Sequence, residues 1–219
     1  MRYTINVDDR IRLKELESSC YVPTYIKFSG VVNESNASKF CEELEAAEDH
    51  CIKSKQTILP IIIDSYGGDV YAMMSMIDMI QACKVKIATI VEGKAMSCGA
   101  ILFSMGAEGF RFVAPHATVM IHEVASMTLG KVEEIKASVA EADRLNDTVW
   151  KLAAKNCGHK EDYFLDLIHQ KKHADWFLDA EECMKHNLAN HTGIPSFHVD
   201  IKVESEFRAP TGKALTPKT

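Results

Sequence analysis

Three side chains in this 219-residue chain stand where they could form a nucleophile, its base and an orienting acid: Ser97, His122 and Asp175. Ser97 lies in Lys94-Ala95-Met96-Ser97-Cys98-Gly99-Ala100, after the β-branched run Val85–Val91 and before the apolar run Ala100–Met105, the pattern of a strand turning into a helix. A hydroxyl at such a turn can project into a cleft while the free N–H groups of the helix start stabilise a developing oxyanion. A plain helix N-cap is the other reading, because serine fills that position often. A nucleophile needs a base within hydrogen-bond reach and a third group to orient that base. His122 is the best placed of nine histidines, since it ends the apolar run Ala117–Ile121, beside the strand that delivers Ser97. Taken alone, it reads more readily as a satisfied core histidine than as a base. Asp175 has the apolar neighbours Ala174, Trp176 and Phe177, which would partly bury a carboxylate that then needs a partner; its plain reading is a turn residue. Cys98 offers a backbone N–H beside Ser97, and Gly68 of the Gly67–Gly68 pair offers a second, so the two could form an oxyanion hole.

The other reactive side chains point elsewhere. His50, His116, His159, His186, His191 and His198 lie in polar or turn-like stretches and are expected to be solvated. His169 and His173 have the i, i+4 spacing of a metal pair, but the sequence identifies no third ligand, so no metal is expected. The seven cysteines, Cys20, Cys41, Cys51, Cys83, Cys98, Cys157 and Cys183, are odd in number and lack paired spacing. With no apolar signal segment in Met1–Cys20, they read as reduced thiols in a cytoplasm.

The elements that must position these residues follow from periodicity. Tyr25–Val32 reads as a first strand, Asn33–Asn36 as caps for a helix carrying Phe40, Leu44 and Ala47, and Leu59–Asp64 as a buried strand with Pro60 near its start. Beyond Gly67–Gly68, Val70, Met73, Met74, Ile77 and Ile80 recur at helical spacing. Strands alternating with helices in this way predict an α/β fold of β-α-β units with a largely parallel sheet. From Val132 to Ala153, apolar residues step by three or four along one long amphipathic helix whose stripe either covers the core, the reading the residues slightly favour, or packs on another subunit. It ends near Asn156-Cys157-Gly158, and a shorter helix follows around Tyr163–Ile168. Asp179 caps a helix through Met184, and Phe197–Val203 alternates as one more strand before a loose tail from Ala209.

Hydrophobic content of 47% supports one full core, and a net charge of -6 without a basic block excludes a nucleic-acid footprint. No run approaches the ~18 apolar residues of a membrane span.

Four stretches together resemble the proteolytic subunit of the Clp protease, a compartmentalised serine peptidase on the ClpP/crotonase fold. They are Ile63–Val70, Gly93–Ala100, Ala117–His122 and Asp175–Glu182, in order over roughly Tyr25 to Leu188. The resemblance implies Ser97 as nucleophile, His122 as general base, Asp175 as its orienter, and the N–H groups of Gly68 and Cys98 as oxyanion hole. It implies a peptidase domain over 25–195 with a handle helix at about 131–155 that interlocks two rings; residues 1–24 read as an N-terminal arm, and 196–219 as a strand and tail extra to the family. It further implies a homo-oligomer of heptameric rings stacked in pairs. Such rings act on unfolded polypeptides or short peptides, with no cofactor on the chain and ATP used by a partner AAA+ unfoldase. Departures from the family pattern are Tyr66 for proline, Glu123–Gly130 for a glycine-rich strand, and His173-Ala174 for the acid and arginine of an inter-ring ion pair. They suit a phage-type member that matures capsid proteins. Rival readings are a non-catalytic ring subunit and a crotonase-type acyl-CoA enzyme.

Overall fold

A computed structural model describes residues 2–4, 22–198 and 202–204 of the chain. In order, the elements are β1 (Arg2–Thr4), β2 (Ile26–Val32), α1 (Glu34–Ser54), β3 (Ile58–Gly68), α2 (Val70–Ala82), β4 (Lys86–Met96), α3 (Cys98–Ser104), β5 (Arg111–Val113), β6 (Thr118–Ile121), α4 (Val132–Asn156), α5 (Tyr163–Gln170), β7 (Trp176–Leu178), α6 (Ala180–Lys185), β8 (His191–Thr192) and β9 (Lys202–Glu204). β1 and β9 pair in parallel as a two-stranded sheet, in a unit separate from the larger one spanning Pro23–Ser196. Of the strand expected over Phe197–Val203, Phe197 and His198 belong to no strand, 199–201 lie outside the described residues, and β9 begins at Lys202. The tail from Ala209, and the arm over 5–21 with Cys20, also lie outside them.

The seven-stranded sheet of the larger unit runs β2-β3-β4-β5-β8, with β6 on β4 and β7 on β6. Every pairing in it is parallel except β6 with β7, so the expected α/β architecture with a largely parallel sheet is what forms. β3 and β4 are central, and their buried Leu59, Ile61, Ile63, Ile90 and Val91 form the near-continuous apolar runs of strands covered on both faces. Pro60 precedes by one residue the point where β2 begins to pair, at Ile61. α1 starts where Asn33 accepts from the Asn36 N–H at 2.9 Å and buries Phe40, Leu44 and Ala47. Asp69 caps α2 through the Ala72 N–H at 2.7 Å, and Asp179 caps α6 through the Glu182 N–H at 2.9 Å.

The apolar stripe of α4 divides into two halves. Val132, Ile135 and Val139 are exposed by 67%, 37% and 52%, whereas Leu145, Val149, Trp150, Ala153 and Ala154 are buried. The preference for core, drawn from the residues, therefore holds only from Leu145 onward. The helix ends as expected, with Gly158 in the left-handed region (φ 76°) and the His159 N–H reaching the Ala154 carbonyl at 2.8 Å.

Three histidines expected in solvent are not there. His159 is half-buried, its ring stacked on Tyr163 at 3.7 Å and its Nε2 2.8 Å from the His186 carbonyl. His186 is buried, edge-on to Trp176 at 4.8 Å, with its Nδ1 2.8 Å from the Tyr163 hydroxyl. His50 is half-buried, with its Nε2 fully enclosed. All three sit in polar or turn-like sequence, and for His186 the cover comes from Tyr163 and Trp176 on other elements. Arg111 is the largest buried charge: its guanidinium donates to the carbonyls of Leu188 (3.1 Å), Gly106 (3.1 Å), Asn156 (3.3 Å) and Asn187 (2.9 Å), and burial lowers its pKa.

Candidate active site

Parallel pairing brings the candidate residues to one end of the sheet. β4 pairs with β6 so that Met96 is opposite Met120, and the next residue, Ser97, donates its N–H to the Met120 carbonyl at 2.9 Å. β6 and β7 run antiparallel with Ile121 opposite Trp176. Continuing that register by one residue sets His122 opposite Asp175, and their Nδ1 and Oδ1 atoms are 3.9 Å apart. This separation exceeds a hydrogen bond by about 1 Å, a looseness common in sites without substrate.

Ser97 occupies the N-cap position of α3, yet its side chain makes no capping hydrogen bond. Its backbone has φ 54° and ψ -123°, far from the extended conformation of an ordinary cap. The plain cap reading is thereby overturned. A serine held in this region carries strain, of the kind that marks presented side chains at strand-to-helix turns.

The end of β3 lies against this turn. A Cβ on Gly67 would fall 2.7 Å from the Ser97 Cβ and 2.6 Å from the Met96 carbonyl oxygen, and one on Gly68 only 2.1 Å from the Val32 carbonyl oxygen. Close approach therefore requires both glycines. Ser65, fully buried, staples the turn: its hydroxyl donates to the Gly30 carbonyl at 2.6 Å and accepts the Gly67 N–H at 3.0 Å.

Gly68, Ser97, Cys98 and His122 line one cleft of about 290 Å³, closed at its sides by Met73, Met120 and Val149. Asp175 stands behind His122, outside that lining. The Cys98 thiol points away from nucleophilic chemistry, because it donates to the Gly68 carbonyl at 3.2 Å and burial pushes its pKa up. A second groove of about 520 Å³ shares Gly68, Val70, Val124 and Ala125 with the first and runs along α4.

Sequence reasoning missed the contacts that fix the segment after β6. Trp150 Nε1 donates to the His122 carbonyl at 3.2 Å, and the Val124 N–H donates to Asn146 Oδ1 at 3.0 Å, so α4 grips His122's own segment from two residues one turn apart. A polar Asn146 inside the stripe Leu145–Val149 was the available signal. Tyr66 faces out and lays its ring 4.3 Å from Lys94 Nζ, which bonds Asp64 at 2.6 Å. The third donor absent from the reading of His169 and His173 also lies in this segment: Glu123.

No helix among the described residues is long and apolar enough to cross a membrane. Compared with known families, residues 11–193 match the family model described as Clp protease.

Proposed function

The chain belongs to the Clp protease family, with a mixed α/β fold consistent with ClpP/crotonase, and on that premise we propose that it is a serine endopeptidase with Ser97, His122 and Asp175 as its triad. Ser97 Oγ attacks the peptide carbonyl, and His122 takes its proton and returns it to the leaving amine. Asp175 orients the imidazole and stabilises its charged form. The N–H groups of Gly68 and Cys98 receive the oxyanion, and water then releases the acyl group from Ser97.

The observation that carries this reading is the strand register: β4 ends at the nucleophile, β6 at the base, and β7 begins directly after the acid. Unfolded polypeptides and short peptides are the substrates. The chain works as a homo-oligomeric ring, heptameric and stacked in pairs through α4, and a partner AAA+ unfoldase supplies ATP-driven feeding while this chain holds no cofactor. The substitutions at Tyr66 and at His173-Ala174 suit a capsid-maturation peptidase as the alternative within the same mechanism.

Treatment with a fluorophosphonate, followed by intact mass spectrometry and peptide mapping, is expected to give one adduct per chain on Ser97. Ser97→Ala is expected to lower peptide hydrolysis by about 10³-fold or more while leaving the particle mass unchanged. An unlabelled wild type that still forms rings would favour the non-catalytic subunit, and full activity in Ser97→Ala would overturn the assignment.

A further inference from the structure

We propose that Glu123, His169 and His173 form a binding site for a divalent transition-metal ion of the zinc class. His169 sits in the last turn of α5, with 57% of its side chain exposed. The chain then passes through Lys172 (φ 59°) and His173 (φ 61°), two consecutive residues in the left-handed region with no glycine between them. That reversal, closed by the His173 N–H on the Ile168 carbonyl at 3.1 Å, folds His173 back until its ring lies 5.0 Å from that of His169.

Glu123 arrives from the segment after β6. Its Oε2 is 2.8 Å from His173 Nδ1 and its Oε1 is 3.9 Å from His169 Nε2. One donor atom from each of the three residues lies within 4.8 Å of the other two. Bonds of about 2.0–2.1 Å in a tetrahedral site set donors roughly 3.3 Å apart, so a small swing of the exposed His169 ring completes three ligands and leaves a fourth position for water. Two imidazoles and one carboxylate suit zinc, nickel or copper, whereas calcium and magnesium need a shell of oxygen donors. Glu123 is within 4.0 Å of both imidazoles, so an ion pair with His173 alone does not account for the second ring beside the same carboxylate.

The location gives the site a consequence. Glu123 follows His122 directly, and His173 precedes Asp175 by two residues, so a bound ion ties together the two segments whose facing side chains are 3.9 Å apart. Of the three ligands only Glu123 lines the cleft, so the ion would sit at its margin. Existence of the site does not depend on the peptidase reading.

The test is a zinc titration of the full chain, prepared without an affinity tag, against a chromophoric chelator. One ion per chain is expected, with His169→Ala and His173→Ala each weakening zinc by about 10-fold or more and His116→Ala leaving it unchanged. Circular dichroism checks that the surface variants fold. Should either variant fail to fold, cobalt bound to the wild type decides, with d–d absorption expected and no thiolate charge-transfer band. Absence of zinc uptake by the wild type, undiminished affinity in the folded variants, or a thiolate band from the cysteines would overturn the proposal.

Discussion

Ser97 shows how much of a candidate nucleophile's position is readable as residue types and how much is not. The strand-to-helix pattern around it is local, as is the expectation that a hydroxyl there faces a cleft or caps a helix. Choosing between the two required its φ of 54° and its missing cap bond, at a turn that Gly67, thirty positions away in sequence, approaches too closely to carry a side chain. His186 failed for a related reason: Lys185 and Asn187 make its neighbourhood polar, but Tyr163 and Trp176 enclose it from other elements. Burial, its largest influence, holds the His186 imidazole below the ordinary 6.5. The unfolded chain therefore takes up a proton before the folded one does, and stability is lost as pH falls below about 6.5 towards the folded pKa. Urea midpoints taken at about pH 7.5 and about pH 5.5 are expected to fall for wild type and to fall less for His186→Gln; an equal drop in both would remove His186 as a source of acid sensitivity.

Helix ends explain why Arg111 can be buried without a carboxylate. α3 finishes at Ser104, α4 at Asn156 and α6 at Lys185, and the carbonyls that Arg111 binds belong to Gly106, Asn156, Asn187 and Leu188, at or just after those ends. Orphan carbonyls and the negative ends of helix dipoles thus stand in for a counter-ion. Arg111→Met is expected to cost about 3 kcal/mol or more in urea denaturation, because it leaves several buried acceptors unpaired, with Arg111→Lys intermediate because it lacks the planar fork. Loss of less than about 1 kcal/mol would mean that water replaces the guanidinium. The helices themselves were legible from their 3.6-residue period, α1, α2 and α4 above all. β7 and β8 were not, since three and two residues are too short for alternation to register, and the long-range pairing that makes β7 a strand leaves no local trace.

For the molecule as a whole, α4 is where architecture would meet the proposed assembly. Its period runs unbroken from Val132 to Ala153, so nothing in the sequence says which half is buried, and a partnerless chain leaves Val132 and Val139 facing solvent, with Met127 and Leu129 nearby at 94% exposure each. Triple replacement of Val132, Ile135 and Val139 by serine is expected to lower the particle mass seen in mass photometry while the helical circular dichroism signal persists. An unchanged particle would show that the rings are held by another surface.

The placing of β7 has a consequence for the nascent chain. Ser97 and His122 emerge from the ribosome well before Asp175, and β7 can add to β6 only after Leu178 has been made. At roughly 5–20 residues per second, the interval from Ser97 to Leu178 lasts roughly 4–16 s, during which the proposed base has no orienting acid. On the proposed reading, the order of synthesis leaves the nascent chain without its orienting acid, and competence would arrive only with the last strand of the proposed triad.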